Sequence, residues 1–497
     1  MSSSSLIVKI EELQTKLFIN NEFVDSVSGK TFPTLNPATE EVICNVQEAD
    51  AADVDMAVQA ATDAFALGSE WRSMAASDRG KLLWKLADLM ESHTEYLEEL
   101  ESLDNGKPLG REGQYGTKVD VALTIAIYRY AAGWCDKLNG DVIPVDGNTL
   151  CYTRKEPVGV CGCIIPWNFP LAMQSWKLAP ALAAGCTVVM KTSENTPLTA
   201  LFVSQLIAQT GFPKGVVNTL SGFGPTAGAA IAQHPGIDKI AFTGSSLTAG
   251  HVLAAAGPFK RTTMELGGKS PVIVCDDADL TVAVDMCHVG LFLNQGQCCC
   301  AGSRIYVQDT IYDAFVQRAV EKARAMKTGA YTDSTADHGP QVDEIQFNRV
   351  LGYIEKGKSE GATCTLGGNR HGTKGYFVEP TIFTDVSDDM TIAKEEIFGP
   401  VMSVMKFSSD DEVVKRANAT MFGLGAGIMS NNIGRAIGLA HQIRAGSVWI
   451  NSYDDFSVQA PFGGYKASGH GREKGKEMMD NYLETKCVFV PLQGPKC

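Results

Sequence analysis

The chain has 497 residues, of which 44% are hydrophobic and 20% are charged, and its formal net charge at pH 7 is −14. That length predicts about two to four domains with large cores, and the average composition excludes disordered, collagen-like and coiled-coil proteins. The negative charge, with no long run of Lys or Arg, argues against nucleic acids and anionic membranes as partners.

The sequence contains no segment that predicts a membrane span or an export signal. Its most apolar region, 178–190, is bounded by lysines and interrupted by Pro180 and Gly185. The N-terminus has neither a secretory nor an Arg-rich presequence pattern. We therefore expect a cytoplasmic protein whose fourteen cysteines stay reduced. Because no cysteine pairs occur with His at zinc-like spacing, we predict no metal site.

Helical periodicity dominates the first quarter of the chain, over residues 51–101 and again over Thr117–Trp134. Short β-branched or apolar runs then alternate with helical stretches. The predicted strands are 159–165, 187–190, 216–220, 239–242 and Pro271–Val274, and the helices between them are 172–184, Leu198–Thr210, 226–234 and 279–293. This alternation predicts a doubly wound parallel sheet, which binds ligands at the carboxyl ends of its strands.

A second alternating set follows and predicts a second lobe. Its strands are expected at 303–307, 401–406, 426–429 and 448–451, and its helices at 311–326, 341–360, Asp410–Asn418 and 433–443. The predicted fold class is therefore α/β, with two doubly wound lobes. Residues 483–492 form a β-rich tail, which we predict to pair with a partner chain.

Two glycine-rich turns follow predicted strands. One is Gly222-Phe-Gly224-Pro-Thr-Ala-Gly228, whose spacing departs from a dinucleotide fingerprint, and the other is Phe242-Thr-Gly244-Ser245. Backbone N–H groups at such turns can hold a pyrophosphate. Glu194, three residues after Lys191, could accept hydrogen bonds from a ribose and repel a 2′-phosphate, which favours NAD over NADP. From the sequence alone, Lys191 and Glu194 could equally belong to the solvent-exposed start of an ordinary helix.

Three short motifs carry candidate chemistry. Cys298, Cys299 and Cys300 are adjacent. In an extended chain Cys298 and Cys300 face one side and Cys299 the other, so only one of these sets can face a site. Alternatively, buried cysteines can simply fill a hydrophobic core. Glu265 precedes a Gly-Gly pair, where burial would raise its pKa towards that of a useful base. Asn168, flanked by Pro-Trp and Phe-Pro, can donate an N–H to an oxyanion, unless its aromatic neighbours are only core residues on a rigid turn.

Eight motifs occur in the order seen in the aldehyde dehydrogenase superfamily, which the chain resembles essentially from Leu17 to Val490. They are EPVGVCGCIIPWNFP, ALAAGCTVVMK, GFGPTAG, AFTGS, MELGGKSP, NQGQCCCAGSR, EEIFGPV and APFGGYKASGHGRE. The chain looks most like the NAD-dependent cytosolic and mitochondrial class acting on simple aldehydes. The resemblance therefore implies NAD as the cofactor and an aldehyde as the small-molecule substrate.

The resemblance also implies roles for individual residues. Cys299 would be the nucleophile, Glu265 the general base and Asn168 the oxyanion donor, with Lys177 and Glu473 on a proton route. The implied cofactor contacts are Ile164, Ile165, Pro166, Trp167, Lys191, Glu194, Gly224, Gly244, Ser245, Leu266, Gln346, Glu396 and Phe398. The implied substrate tunnel is lined by Leu123, Phe169, Met173, Trp176, Leu293, Cys298, Cys300, Phe456 and Phe462. An apolar tunnel without Arg at these positions favours aliphatic or aromatic aldehydes over semialdehydes that carry a second carboxylate.

The same resemblance implies a domain plan and a homo-oligomer, either a dimer or a tetramer. The implied domains are 1–137 with 156–264 for NAD binding, 265–480 for catalysis, and 138–155 with 481–497 for oligomerisation. One departure concerns the family pattern Gly-Ser-Thr-x-x-Gly, in which Ala249 replaces the last glycine here. This replacement puts the close packing of the following helix in question.

Two other classes of function compete with this interpretation. A non-redox thiol enzyme, such as an acyltransferase or esterase, would use Cys299 and Glu265 but leave both glycine turns without a role. A binding protein that had lost catalysis would be expected to lack the nucleophile, the base or the oxyanion donor. All three residues are present in this sequence.

Overall fold

The alternation of apolar runs and helical segments builds four sheets in the computed structural model, which describes residues 7–111 and 114–494. The strands in this part of the chain are β1 (Leu17–Ile19), β2 (Glu22–Val24), β3 (Thr31–Asn36), β4 (Glu41–Gln47), β5 (Val142–Ile143), β6 (Thr149–Pro157), β7 (Val160–Ile164), β8 (Thr187–Thr192), β9 (Val217–Ser221), β10 (Lys239–Gly244), β11 (Arg261–Leu266), β12 (Pro271–Val274), β13 (Arg304–Gln308), β14 (Thr363–Leu366), β15 (Thr381–Thr384), β16 (Val401–Phe407), β17 (Gly425–Met429), β18 (Ser447–Ile450), β19 (Gly469–His470) and β20 (Leu483–Pro491).

The α-helices lie mostly between these strands and cover the two large sheets. They are α1 (Ala51–Phe65), α2 (Glu70–Ser73), α3 (Ala76–Ser92), α4 (Thr94–Asn105), α5 (Thr117–Trp134), α6 (Pro170–Ala184), α7 (Leu198–Thr210), α8 (Ala229–Gln233), α9 (Ser246–Ala256), α10 (Leu280–Phe292), α11 (Tyr312–Arg324), α12 (Glu344–Ser359), α13 (Thr391–Lys394), α14 (Asp410–Asn418), α15 (Ile433–Gln442) and α16 (Glu477–Asp480). Within the described residues, no helix is long and apolar enough to cross a membrane.

The first lobe is built on an eight-stranded sheet with the order β19-β11-β10-β7-β8-β9-β1-β2. Its central strands β11, β10, β7, β8 and β9 are parallel, and each of the outer strands β1, β2 and β19 pairs antiparallel with the strand next to it on the inner side. The parallel strands are almost entirely buried, as expected for a sheet with helices on its faces. The carboxyl ends of β11, β10, β7 and β8 therefore lie side by side at one edge.

The second lobe has a seven-stranded sheet with the order β14-β15-β16-β13-β12-β17-β18, in which only β14 is antiparallel. The predicted α/β class with two doubly wound lobes is confirmed. Strands β1 to β4, β14, β15 and β19 have no counterpart among the predicted strands, and two further differences concern the junction of the lobes. Pro271–Val274 was grouped with the first sheet but pairs with β13 and β17 in the second. The last parallel strand of the first sheet is Arg261–Leu266, which was not predicted as a strand because its polar first half masks the apolar pattern.

The C-terminal tail belongs to a separate three-stranded sheet with the order β20-β6-β5. The tail pairs antiparallel with β6 of the same chain, from Leu483 opposite Pro157 to Pro491 opposite Thr149. This pairing occupies one edge of β20, which is an outer strand of the sheet, so the prediction that the tail pairs with a partner chain stays a prediction for its other edge.

The helix that follows the altered glycine turn packs closely although Ala249 replaces the glycine of the family pattern. Helix α9 forms over its full length, Ala249 is buried in the core of the first lobe, and its backbone N–H donates to the Ser245 carbonyl at 2.9 Å. The displaced Gly250 is exposed, and a Cβ added to it would meet no atom within 4 Å. A methyl group is therefore accommodated where the family pattern has glycine.

Candidate active site

The triple cysteine lies in a loop between α10 and β13, next to an unusual backbone turn. Asn294, Gln295 and Gly296 have successive φ angles of 48°, 58° and 72°. Non-glycine residues rarely adopt this left-handed region, and such strain is often kept at functional sites. The turn leads into Cys298, Cys299 and Cys300, of which the first and third are buried and the middle one is partly exposed.

A cavity of about 160 Å³ opens between the carboxyl ends of the first sheet and the second lobe. Of the three cysteines, Cys299 lines this cavity. The full lining is Pro166, Trp167, Asn168, Thr243, Gly244, Ser245, Glu265, Leu266, Gly267, Cys299, Gln346, Arg349, Glu396 and Phe398. The structure thus brings together most of the residues expected to hold the cofactor with the three principal candidates for catalysis.

Glu265 lies in β11 opposite Thr243 of β10, at the carboxyl edge of the first sheet. Its side chain is buried, and in the described part of the chain neither carboxylate oxygen has a hydrogen-bond partner. Burial, with a further contribution from the charge of Glu473, raises the pKa of Glu265 to about 8. The carboxyl group therefore exchanges its proton around pH 8, and its ionised form is basic enough to act as a general base.

The two glycines after Glu265 allow the lobes to meet. A Cβ added to Gly267 would lie 2.1 Å from the Glu396 carboxylate, and one added to Gly268 would lie 2.5 Å from the backbone carbonyl of Cys299. Both distances are far below a van der Waals contact, so no side chain fits at either position. The Gly268 N–H also donates to Glu396 Oε1 at 2.9 Å.

Asn168 is held in place by groups that sequence reasoning did not identify. Its Nδ2 donates to the Gln297 carbonyl at 3.0 Å, beside the cysteine loop. Its backbone carbonyl accepts hydrogen bonds from Lys107 Nζ at 2.9 Å and from Asn294 Nδ2 at 2.8 Å. Lys107 is fully buried and forms an ion pair with Asp120 at 2.8 Å. One amide hydrogen of Asn168 therefore anchors the side chain, while the other is available to a ligand.

Lys177 and Glu473 form an ion pair at 2.8 Å beside the cavity. Lys177 Nζ also donates to Thr243 Oγ1 at 2.5 Å, and Thr243 lies opposite Glu265 in the sheet. Glu473 Oε2 has no hydrogen-bond partner within residues 7–111 and 114–494. The arrangement connects the neighbourhood of Glu265 with a second carboxylate through a buried lysine.

Residues of the second lobe form the opposite wall of the cavity. Burial raises the pKa of Glu396 to about 7. Gln346 Nε2 donates to the Phe398 carbonyl at 2.7 Å, and the Phe398 ring lies edge-on to Trp167 with ring centroids 5.3 Å apart. Arg349 also lines the cavity and was not identified from the sequence. This wall offers a carboxylate and aromatic surfaces to a ligand.

The remaining predicted cofactor contacts lie around this cavity but do not line it. They are Ile164, Ile165, Lys191, Glu194 and Gly224. Ile164 pairs with Lys191 across β7 and β8, and Lys191 Nζ lies 3.4 Å from Glu194 Oε2. Gly224 begins a single π-helical turn, Gly224–Gly228. Ser245 caps α9 by accepting a hydrogen bond from the Thr248 N–H, so the amino end of this helix faces the cavity.

The predicted tunnel residues, with one exception, join a single hydrophobic cluster. Leu123 is half-buried on α5 and is not part of that cluster. The rings of Trp176, Phe456 and Phe462 lie within 6.4 Å of one another, centroid to centroid. The others in or against the cluster are Phe169, Met173, Leu293, Cys298 and Cys300.

Two charged residues that the sequence did not predict adjoin this cluster. Asp454 Oδ1 accepts a hydrogen bond from Cys300 Sγ at 3.2 Å. Lys474 places its Nζ over the rings of Trp176 and Phe456. The residues predicted to line a tunnel therefore have ionisable neighbours.

The three thiols are close enough to share a soft metal ion, since their sulfur atoms all lie within 4.8 Å of one another. Within the residues that the structure describes, no His, Asp or Glu adds a fourth ligand atom at that distance. The absence of a resident metal stays a prediction from the sequence.

Comparison with known proteins gives one consistent family. The sequence model described as the aldehyde dehydrogenase family matches residues 23–488. The mitochondrial aldehyde dehydrogenases of Rattus norvegicus and Homo sapiens are each 56% identical over 477 residues, covering 96% of this chain and 91% and 92% of those proteins. The NAD⁺ complex of an aldehyde dehydrogenase from Bacillus cereus has a TM-score of 0.96 and 49% identity, covering 99% of this chain and 100% of that chain.

The buried carboxyl group of Glu265 predicts a specific pH dependence of stability. Its pKa rises from an ordinary 4.5 to about 8 on folding, so its contribution to stability is full below pH 4.5 and is lost as the pH rises to about 8. Gln cannot titrate, so Glu265→Gln should gain stability relative to the native chain over this interval, by on the order of a few kcal/mol. Melting temperatures across this pH range measure the effect.

The matched control for this prediction is Glu344→Gln, because Glu344 is exposed at the start of α12. Equal pH dependence of the two variants would show that Glu265 does not titrate as its burial requires.

Proposed function

The chain belongs to the aldehyde dehydrogenase family and is an NAD-dependent oxidoreductase of aldehydes; we propose that Cys299 is its nucleophile and Glu265 its general base. The observation that carries this assignment is the shared cavity, in which a thiol from the second lobe meets a buried, unpaired carboxyl group from the first. A thiol enzyme without redox chemistry would not explain the Ser245 helix end or the Glu396 wall.

The first step is attack of the Cys299 sulfur on the aldehyde carbonyl. Contact with Cys298 and burial raise the pKa of the Cys299 thiol above its ordinary value, so the thiol needs a base. Glu265 takes this proton, directly or through a water molecule. The resulting oxyanion accepts hydrogen bonds from the free amide hydrogen of Asn168 and from the backbone N–H of Cys299.

Several residues around the cavity fit a dinucleotide. The amino end of α9 at Ser245 suits a pyrophosphate, and the buried Glu396 can accept hydrogen bonds from a ribose hydroxyl. Glu194 is partly exposed beside Lys191 and would repel a 2′-phosphate, which favours NAD over NADP. When bound, NAD supplies the hydride acceptor that no protein side chain provides.

Oxidation of the adduct leaves a thioester on Cys299, which must be hydrolysed. Glu265 activates a water molecule for this step and releases the carboxylic acid. Glu473 and Lys177 then provide a route by which the proton leaves Glu265, since their ion pair reaches the Thr243 hydroxyl next to it. The predominantly apolar tunnel supports aliphatic and aromatic aldehydes as substrates, with modest discrimination between chain lengths.

The roles of Cys299 and Asn168 are tested by NADH formation with propanal and benzaldehyde. Cys299→Ala should abolish turnover, whereas Cys298→Ala, which removes a buried neighbour, should keep it. Asn168→Ala should lower kcat by about a hundredfold or more, because it removes one oxyanion donor. Turnover that survives in Cys299→Ala but disappears in Cys298→Ala would transfer the nucleophile to the adjacent thiol.

The assembly proposed for this chain is a homo-oligomer. The small sheet of β5, β6 and β20 carries exposed apolar residues on both faces: Val142 is 75% exposed, and Phe489, which points to the other side, is 63% exposed. Apolar surface of this kind marks a protein interface. It supports the domain plan in which 138–155 and 481–497 form an oligomerisation element that crosses between subunits, of which residues 495–497 lie outside the described part of the chain.

A charge introduced into this sheet tests the proposed assembly. Val142→Asp should shift the protein towards smaller species in size-exclusion chromatography with light scattering, because the buried charge would be unpaired in the interface. The matched control is Thr485→Asp, at an exposed polar position of the same sheet. An unchanged molecular mass for Val142→Asp would contradict this interface.

The cytoplasm remains the proposed location. Fourteen cysteines suit a reducing compartment, but the rat and human relatives are named as mitochondrial. Cell fractionation, with a mitochondrial marker measured in parallel, distinguishes the two compartments.

A further inference from the structure

Lys474 occupies an unusual position next to the predicted substrate tunnel. Its φ angle is 58°, and its side chain is folded inward so that the residue is only 3% exposed. The Nζ atom lies 4.2 Å from the ring centroid of Phe456, 4.9 Å from that of Trp176 and 5.4 Å from that of Phe462. The faces of these three rings thus stabilise the positive charge of Lys474. The sequence predicts that the same rings contact only the substrate.

The ammonium group has unused hydrogen-bonding capacity. An ammonium carries three donors, and aromatic faces do not satisfy them as an acceptor oxygen does. In the part of the chain that the structure describes, Lys474 Nζ forms neither a side-chain hydrogen bond nor an ion pair within 4.0 Å. A ligand that brings an acceptor oxygen would therefore meet unpaired donors.

The surrounding groups do not cancel this charge. The charged groups that influence Lys474 are Cys299, Cys300, Asp454 and Glu473. Glu473 is already paired with Lys177. Burial raises the pKa of Asp454 well above its ordinary value, which favours the protonated form, and its Oδ2 has no hydrogen-bond partner among the described residues. Within the described residues, no carboxylate therefore lies within 4.0 Å of the Lys474 ammonium to neutralise it.

We propose that Lys474 determines substrate specificity, by binding the carboxylate of aldehydes that carry a negative group a few carbons from the carbonyl. The inference rests on the proposed function, because it concerns substrates that reach the same nucleophile, Cys299, through the predicted tunnel. The Lys474 ammonium donates to one carboxylate oxygen, and the protonated Asp454 can donate to the other. Simple aliphatic and aromatic aldehydes still bind to the aromatic walls, so the substrate range is extended to semialdehydes.

This inference changes one expectation drawn from the sequence. Semialdehydes were disfavoured because no Arg occupies the tunnel positions carried over from the family resemblance. Lys474 is not among those positions, and its contact with Trp176, Phe456 and Phe462 depends on the folded path of the chain after Glu473. A cation reaches the tunnel wall from a segment that was assigned only to the proton route.

The test compares kcat/KM for two pairs of aldehydes of equal carbon number: succinate semialdehyde with butanal, and glutarate semialdehyde with pentanal. Lys474→Met removes the charge at similar length, Lys474→Arg keeps it, and Lys476→Met removes an exposed charge two residues away. The preference for the anionic member should fall about ten- to a hundredfold in Lys474→Met, in at least one pair. Lys474→Arg should retain more of it than Lys474→Met, and Lys476→Met should leave it unchanged.

A loss of kcat/KM that is equal for anionic and neutral aldehydes in Lys474→Met would overturn the inference, since it would indicate a packing role or a general effect on Cys299. A preference that changes less than about twofold in both pairs would overturn it as well. Butanal oxidation by the native chain is the separate control for the proposed function, because its failure removes the activity itself and not only the selectivity.

The native chain provides a second readout that does not depend on a variant's folding. The pKa of Lys474 is lowered by burial to about 8, so the ammonium loses its proton as the pH rises through that value. KM for succinate semialdehyde should therefore rise relative to KM for butanal across this range. A ratio of the two KM values that stays constant with pH would contradict a role for the Lys474 charge.

Discussion

The site depends on a steric constraint at the point where the two lobes join. Glu265 lies next to the end of β11 in the first lobe, and Gly267 and Gly268 lead from this strand into the second lobe. Gly267 lies against the Glu396 carboxylate, and Gly268 lies against the Cys299 carbonyl. Any side chain at these glycines would separate the lobes. Because both glycines lack one, a carboxyl group from the first lobe and a thiol from the second line the same cavity.

Burial of charge at this junction sets the chemistry of the site. Glu265 has no hydrogen-bond partner in the described residues, so desolvation raises its pKa into the range useful for a base. Lys107 and Lys177 are also buried, but each has a carboxylate partner, Asp120 and Glu473 respectively. The paired lysines fix Asn168 and the proton route in position, whereas the unpaired carboxyl group stays available for reaction.

Much of the fold could be predicted because buried parallel strands leave short continuous apolar runs, as in Val160–Ile164 and Pro271–Val274. The sheet to which a strand belongs could not be predicted for Pro271–Val274, since the short glycine link before it gives no local sign of a change of sheet. The strand Arg261–Leu266 was missed because its first residues are polar and partly exposed.

The candidate catalytic residues were predictable because each lies in a compact motif next to a strand end. The supporting groups were not. Lys107, Asn294 and Lys474 act through contacts with residues far away in the chain, and these contacts leave no local pattern in the sequence. Lys474 in addition depends on a left-handed backbone conformation that turns a charged side chain inward.

The most direct test of the account is intact-protein and peptide mass spectrometry of Glu265→Gln after mixing with propanal and NAD. Glu265 acts in both steps, but a thiol loses its proton far more readily than water does, so removal of the base should slow hydrolysis more than the formation of the thioester. A propionyl group should therefore accumulate on the peptide that contains the three cysteines, and fragmentation should place it on Cys299. An adduct on Cys298 or Cys300, or NADH formation with no acylated protein at any time, would contradict the assignment of Cys299 and Glu265.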